Sequence, residues 1–419
     1  MQEVSEKWIA TNQSAFTVPS FITIMIHRNS GAGTLFIPTG RIMAYTQSFY
    51  GDMLAGEIPE MSVVAKLNNN DGIYTSSLLA DKEDFEHAAA DILISFNFNS
   101  VDPEEENESI NGGRFFVSEI TYDANDRSLT LRLSDILQFM NSQYNGRSRG
   151  WVEDVVNDII VQAKADNSVP VQTIQCEIDS NLTGNVQVDM AEKFTLAEAL
   201  QVCANASNCV LFVDRDSVIH IEPINREVQD YFIGRNIQYT ETNLTKDKAI
   251  NSVLVNFRNY SYDYTRKTQI GSQQTVTNPA IMLIINAMNV ARRTYRTLQE
   301  NREVISGEFR CDPRVDIFDV IQIESSKRNL RIYDLEQMPI EDIELLTINE
   351  IENSTTDIGI YCITSLEMIF TGAWHGKFSA RAINTQGSES LRTWGNLKLM
   401  TWGQARDYSW DEVRGGYYV

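Results

Sequence analysis

The residues of this 419-residue chain that could do chemistry are mostly carboxylates. Asp214 and Asp216 stand two apart, and Asp312, Asp316 and Asp319 surround Pro313. Two carboxylates several ångströms apart can hydrolyse a glycoside, and a cluster of acids in a turn can hold a metal. With 57 Asp plus Glu, however, such groupings arise by chance. Asp214 and Asp216 fall in Asp214-Arg215-Asp216-Ser217, which has turn chemistry. Asp316 and Asp319 fall where strands end or start. Both sets are therefore assigned to structure. The four histidines (His27, His87, His220, His375) are far apart in sequence. There is no Gly-x-Ser-x-Gly elbow and no His-Glu-x-x-His pair, and Gly31-Ala32-Gly33 lacks the helix and Lys-Ser/Thr pair of a phosphate loop. The acidic run from Asp102 to Glu108 lacks the alternating oxygen ligands and central glycine of a calcium loop. The expectation is a non-enzyme with no catalytic, metal or cofactor site.

Composition narrows the class further. The formal charge of −22 disfavours a nucleic-acid reader or a partner of anionic membranes. It is compatible with a pore through which DNA passes without sticking. Five cysteines without a Cys-x-x-Cys pair suggest reduced, mostly buried thiols rather than a disulfide frame or zinc site. The N-terminus has early acids and no apolar core segment, so no secretory signal is expected. The most apolar helical run, Ala280 to Ala287, is far short of the roughly 20 residues that span a bilayer, so no membrane insertion is expected.

The elements that would position these residues come in distinct textures. To about residue 145, strand-like runs (Phe21–His27, Arg41–Tyr50, Met61–Leu67, Ile92–Phe98, Phe115–Tyr122, Ser128–Leu133) alternate with turn clusters, Asn111-Gly112-Gly113 among them. A helix capped by Ser134 is expected over Asp135–Gln143 and another over Trp151–Ala165. Residues 194 to 223 then read as one helix followed by a tight hairpin, Val210–Val213 and Val218–Ile221. Beyond Pro223 the expectation is strands at Ile237–Thr240 and Val253–Asn259, a polar Thr/Gln loop, and a helix from about 280 to 301. That helix ends in Arg292, Arg293 and Arg296, cations that favour its dipole. Strands are expected at Val304–Arg310, Val320–Glu324, Tyr361–Phe370 and Lys377–Ala382.

Near the end, Trp394, Trp402 and Trp410 recur every eight residues. One large aromatic per repeat cannot build its own core. Such spacing at a terminus favours protein docking over sugar stacking. The fold class is thus a β-rich α+β, multidomain chain with small barrel- or sandwich-like modules and helix-hairpin insertions. Its expected divisions are a β-rich domain (1–145), a helix-hairpin domain (146–225), a second β-rich domain with one long helix (226–385) and a Trp docking tail (386–419).

The order of segments resembles one family. Ser48 to Tyr74 (S-F-Y-G-D-M-L-A-G-E-I-P-E-M-S-V-V-A-K-L-N-N-N-D-G-I-Y) is similar to the opening of bacteriophage tail-tip and baseplate proteins. Arg114 to Leu137 (R-F-F-V-S-E-I-T-Y-D-A-N-D-R-S-L-T-L-R-L-S-D-I-L) resembles the family's next hairpin and helix start. The 194–223 unit resembles its A-L-x-x-x-A…V-D-R-D-x-x-I-x-I-x-P segment. Asn251–Phe257 and Gly307–Ile323 match later segments in the same order, with Phe318 where a glycine is common. That departure implies a differently shaped turn. The terminal T-W-x-x-x-x-x-M-T-W pattern also resembles the tails of such proteins.

The resemblance implies a virion structural protein at the distal end of a phage tail, made in the bacterial host cytoplasm. It implies a hub that oligomerises around the axis, with a trimer favoured, and joins the tail tube to tip or fibre proteins. The partners would be other tail proteins of the tube, ring, fibres or tip. An alternative is a peripheral connector anchoring receptor-binding fibres through the Trp tail. A third reading, a tail-associated cell-wall or polysaccharide hydrolase, would need one of the carboxylate pairs to lie in a cleft.

Overall fold

The computed structural model describes residues 19–98, 107–326 and 356–383, with short breaks at 148, 167–168, 171–173, 183–185, 191, 226 and 266–270. Residues 2, 4, 5, 7 and 8 of the N-terminus are also described. Trp394, Trp402 and Trp410, with the whole of 386–419 and most of the acidic run at 102–108, lie outside the described residues.

Alternation of apolar and polar residues sets the first part of the chain. In Glu60–Asn68, Met61, Val63, Ala65 and Leu67 are buried and their neighbours face away, the period of two that a half-covered strand requires. The strands here are β1 (Ser20–His27), β2 (Thr34–Pro38), β3 (Ile42–Tyr50), β4 (Glu60–Asn68), β5 (Ala89–Phe96), β6 (Glu108–Asp123) and β7 (Ser128–Ser134). A short helical turn, α1 (Lys82–Phe85), precedes β5.

Helical periodicity takes over next. After β8 (Arg149–Trp151), α2 (Val152–Ala165) buries Val152, Val155, Val156, Ile159, Ile160 and Ala163 on one face. Two short strands follow, β9 (Gln175–Ile178) and β10 (Gln187–Asp189). Helix α3 (Leu196–Ala206) starts with a capping box, in which Thr195 accepts from the Glu198 amide and Glu198 from the Thr195 amide, as its T-x-x-E sequence dictates. The hairpin β11 (Val210–Val213) and β12 (Val218–Glu222) follows directly.

The rest comprises β13 (Val228–Ile233), β14 (Asn243–Lys246), β15 (Ile250–Phe257), β16 (Tyr260–Thr265), β17 (Ser272–Thr277), α4 (Ile284–Tyr295), β18 (Glu303–Phe309), β19 (Val320–Ser326), β20 (Thr356–Phe370) and β21 (Trp374–Ala382).

One 13-stranded sheet runs in the order β14-β18-β21-β20-β3-β4-β7-β6-β5-β1-β2, with β19 also on β20 and β13 on β19. The 15-residue β20 is its keystone. One half pairs with β19 (Val320↔Cys362) and the other with β3 (Tyr50↔Ser365 to Tyr45↔Phe370). Through that ladder, strands from both ends of the described chain enclose a single apolar core. A second core is built by α2, α3 and α4 with the sheets β11-β12-β9 and β16-β15-β17. The molecule is β-rich α+β with several sheets and more than one core.

Several local expectations are corrected. Asn111-Gly112-Gly113 is no turn: it lies inside β6, where the register against β5 shifts and Gly113 has φ +125°. A Cβ on Gly112 would meet Ile92 at 2.6 Å, so the glycine makes room for a bulge. The expected 135–143 helix is only a short 3₁₀ turn, Ile136–Phe139, capped by Asp135 rather than Ser134. Residues 235–237 form a 3₁₀ turn instead of starting a strand. The stretch expected as a polar loop forms β16 and β17 instead, with Tyr262, Tyr264 and Val276 packed against the second core.

Phe318, in the glycine-preferring position, has φ +63°, a left-handed conformation that costs about 1 kcal/mol for a non-glycine residue. Its ring is 7% exposed and packs on Gly51, whose added Cβ would sit 2.6 Å from it. Burial of an aromatic ring, worth about 2–3 kcal/mol, outweighs the strain. Gly51→Ala should therefore destabilise the protein by about 1–3 kcal/mol through overpacking, measured as a lowered thermal or urea midpoint. An unchanged midpoint would contradict this contact.

Candidate functional site

Buried charge concentrates where the two cores meet. The β11–β12 tip carries Arg215 into that seam, where the residue is 5% exposed. Its Nε donates to Asp316 Oδ2 at 2.8 Å, Nη1 to the carbonyls of Pro313 (2.7 Å) and Asn111 (3.1 Å), and Nη2 to that of Val315 (2.9 Å). The Arg215 carbonyl in turn accepts from the Arg114 amide at 2.8 Å. One side chain thus joins the hairpin, the β6 bulge and the 312–319 turn.

The tip is shaped to present it. Asp214 Oδ1 accepts from the amides of Asp216 (2.9 Å) and Val218 (2.8 Å), closing the turn, and Ser217 takes φ +65°. Asp216 accepts from Asn111 Nδ2 at 2.7 Å. His220 Nε2 lies 3.0 Å from Asp214 Oδ2, and its ring stacks on Phe212 at 4.9 Å and 12°. Phe212 meets Phe318 edge-on at 5.8 Å. Asp319 Oδ2 accepts from the Asp316 amide at 2.8 Å, completing a clasp between hairpin and turn.

The electrostatics follow from burial and pairing. Burial opposes the charge on Asp214, but the hydrogen bond from His220 and the amides of Val218 and Asp216 outweigh it and hold its carboxyl below the ordinary range. Burial would lower His220, but Asp214 first, then Glu222 and Glu177, raise it. Burial pushes Asp319 up to about 6.

The carboxylates singled out in the sequence go to different partners. Asp312 is fully buried in a two-pronged pair with Arg314 (2.7 and 3.0 Å) and accepts from Trp8 Nε1 at 3.2 Å. Asp316 serves Arg215 and Asp319 serves an amide. Among the described residues, no group of three or more His, Cys, Asp or Glu is placed to hold a metal. Arg293 is turned to structure, donating to the carbonyls of Cys209 (2.8 Å) and Met53. Of the five thiols, four are buried and Cys176 is half-buried, all unpaired with one another.

The face of the large sheet turned away from its core has a different character. Ser134, Ser62, Ser48, Glu367 and Lys377 are successive partners across β7, β4, β3, β20 and β21. Glu60, Tyr50, Ser365, Ser379 and Ser306 form the next row. These rows border an open groove of about 500 Å³. Four serines and the Tyr50 hydroxyl line it together with Glu60, Glu367 and Lys377.

No protein-family profile and no curated protein matches the sequence. Among solved structures, the chain is similar to the tail protein from Neisseria meningitidis MC58, with a TM-score of 0.55 and 8% identity over 87% of this chain and 96% of that one. It is also similar to the 43 kDa tail protein of prophage MuSo2 from Shewanella oneidensis (TM-score 0.48, 9% identity, 85% and 97% covered). A third is the prophage tail protein gp18 from Listeria monocytogenes EGD-e (0.49, 13%, 87% and 95%). The chain shares its fold with the Neisseria meningitidis tail protein.

The turn expected from Asp214-Arg215-Asp216-Ser217 is present, but the buried role of Arg215 is not part of that expectation. The available signal was an arginine between two acids that are occupied by the turn itself, which leaves the guanidinium to look elsewhere. Removing one partner of a buried pair costs about 3–5 kcal/mol. Arg215→Ala should fall near the lower end, because the Asp316 side chain is 23% exposed. Arg215→Lys should not restore the loss, since an ammonium cannot serve this fork of acceptors. Chemical denaturation and proteolysis across the seam would measure both. A lysine variant as stable as the parent would contradict the clasp.

Proposed function

We propose that this protein is a structural component of a phage tail tip or baseplate, acting as a hub around the tail axis and linking the tube to tip or fibre proteins. The observation that carries this reading is the tail-protein fold over 87% of the chain. The serine-rich sheet face adds to it: a hydroxyl-lined, weakly charged surface on a chain of formal charge −22 suits a lumen that DNA crosses without binding. The outermost strands β2 and β14 each pair on one side among the described residues, and neighbouring copies in a ring would cover such edges. In this reading the chain is not an enzyme, is made in the host cytoplasm and resides in the virion tail as a homo-oligomer, with a trimer favoured.

A second reading, a peripheral connector holding fibres, is favoured by the Trp394, Trp402 and Trp410 octads. Single-particle imaging of the protein with its tail neighbours should find a closed ring on the axis, of three copies. A monomer held off the axis would overturn the hub reading. Deleting residues 386–419 should leave the body folded, and loss of fibre attachment in pull-down would favour the connector.

A further inference from the structure

His220 is the member of the clasp whose charge can change near neutral pH. Its side chain is 13% exposed and ringed by acids from three directions. Asp214 from the hairpin tip takes Nε2, and Glu177 from β9 lies 3.8 Å from Nδ1, too far for a hydrogen bond. Glu222, two residues along β12, adds its charge. Nδ1 is buried with no hydrogen-bond partner. A bare nitrogen lone pair facing a carboxylate is unfavourable, whereas an N–H there is attracted to it. Below the ring, Phe212 passes any shift of the imidazole to Phe318 and the 312–319 turn.

We propose that the 212–220 hairpin and the 312–319 turn form a proton-sensitive latch between the two cores, shut while the His220 imidazolium is present and loosened when the ring is neutral. The imidazolium holds the second oxygen of Asp214, the residue whose first oxygen closes the tip. The tip must stay closed for Arg215 to reach Asp316, Pro313 and Val315. Neutralising the ring removes an ion pair from the base of that lever.

The sign is fixed by the direction of the shifts. Folding raises His220, so its contribution is complete below its unfolded value of about 6.5 and is lost as pH rises through the higher folded value. Asp319 has the same sign over a lower window: burial favours its neutral form, so its contribution is lost as pH rises from its unfolded value of about 3.9 to about 6. Asp214, held below the ordinary range, stays charged above about pH 5. Across neutral pH the latch therefore loosens through His220 alone, from its tighter acid side towards pH 8.

Hydrogen exchange of the full chain between pH 5.5 and 8.5, corrected for intrinsic rates, tests this. Protection in peptides covering 208–222 and 311–320 should fall together across neutral pH. The change should be on the order of tenfold for each pKa unit by which folding raises His220. In His220→Gln both segments should be loose at all pH values and the step should flatten. A wild-type profile without a step in these segments overturns the proposal, whatever the variant does. So does a His220→Gln protein that keeps the full step.

Discussion

A guanidinium taken out of water must have its N–H groups met, and Arg215 meets that demand only while three separate segments hold fixed positions. The hairpin tip must be closed, the β6 bulge must offer the Asn111 carbonyl, and the 312–319 turn must present Asp316, Pro313 and Val315. None of these is sequence-adjacent to another. The relative placement of the two cores is thereby converted from a matter of apolar contact, which tolerates sliding, into one of directed hydrogen bonds, which do not. The Phe212–Phe318 contact fills the same seam with the opposite chemistry, giving area where the arginine gives direction.

The other organising fact is that sheet and seam use the same turn. Residues 312–319 lead into β19, which pairs with β20, and β20 also carries the ladder to β3. Gly51, at the end of β3, receives the Phe318 ring. Clasp, keystone strand and first-half sheet therefore meet around one left-handed residue. A ring that grips Gly51 holds the turn in a conformation glycine would adopt without assistance.

Legibility in the sequence tracked hydrophobic periodicity. The hairpin of the 194–223 unit was readable to within a residue, and its helix by type, because the alanine-rich helical face, the two β-type runs and the turn residues between them all point to the same elements. Strands β4, β7 and β19 were readable for the same reason. β17 was not, because its one apolar residue, Val276, leaves no alternation, whereas β16 does carry alternating tyrosines (Tyr260, Tyr262, Tyr264) inside a polar stretch. The bulge in β6 imitated a turn, since the same glycines serve both. In the clasp, the residue types were visible and their partners were not: Arg215 and Asp316 are 101 positions apart. Phenylalanine in a glycine-preferring place, at Phe318, is a sequence clue that points to the seam.

β20 pairs with β19 over Thr356–Cys362 and with β3 over Ser365–Phe370, while β21 runs beside it from Tyr361 to Phe370. A force applied along this strand would load the ladders to β3 and β19 in shear, stretching many hydrogen bonds at once. A force across it would peel them one by one. The strand is thus a tension cable: strong in one direction and weak in the other, with its strong direction shared by both halves of the large sheet.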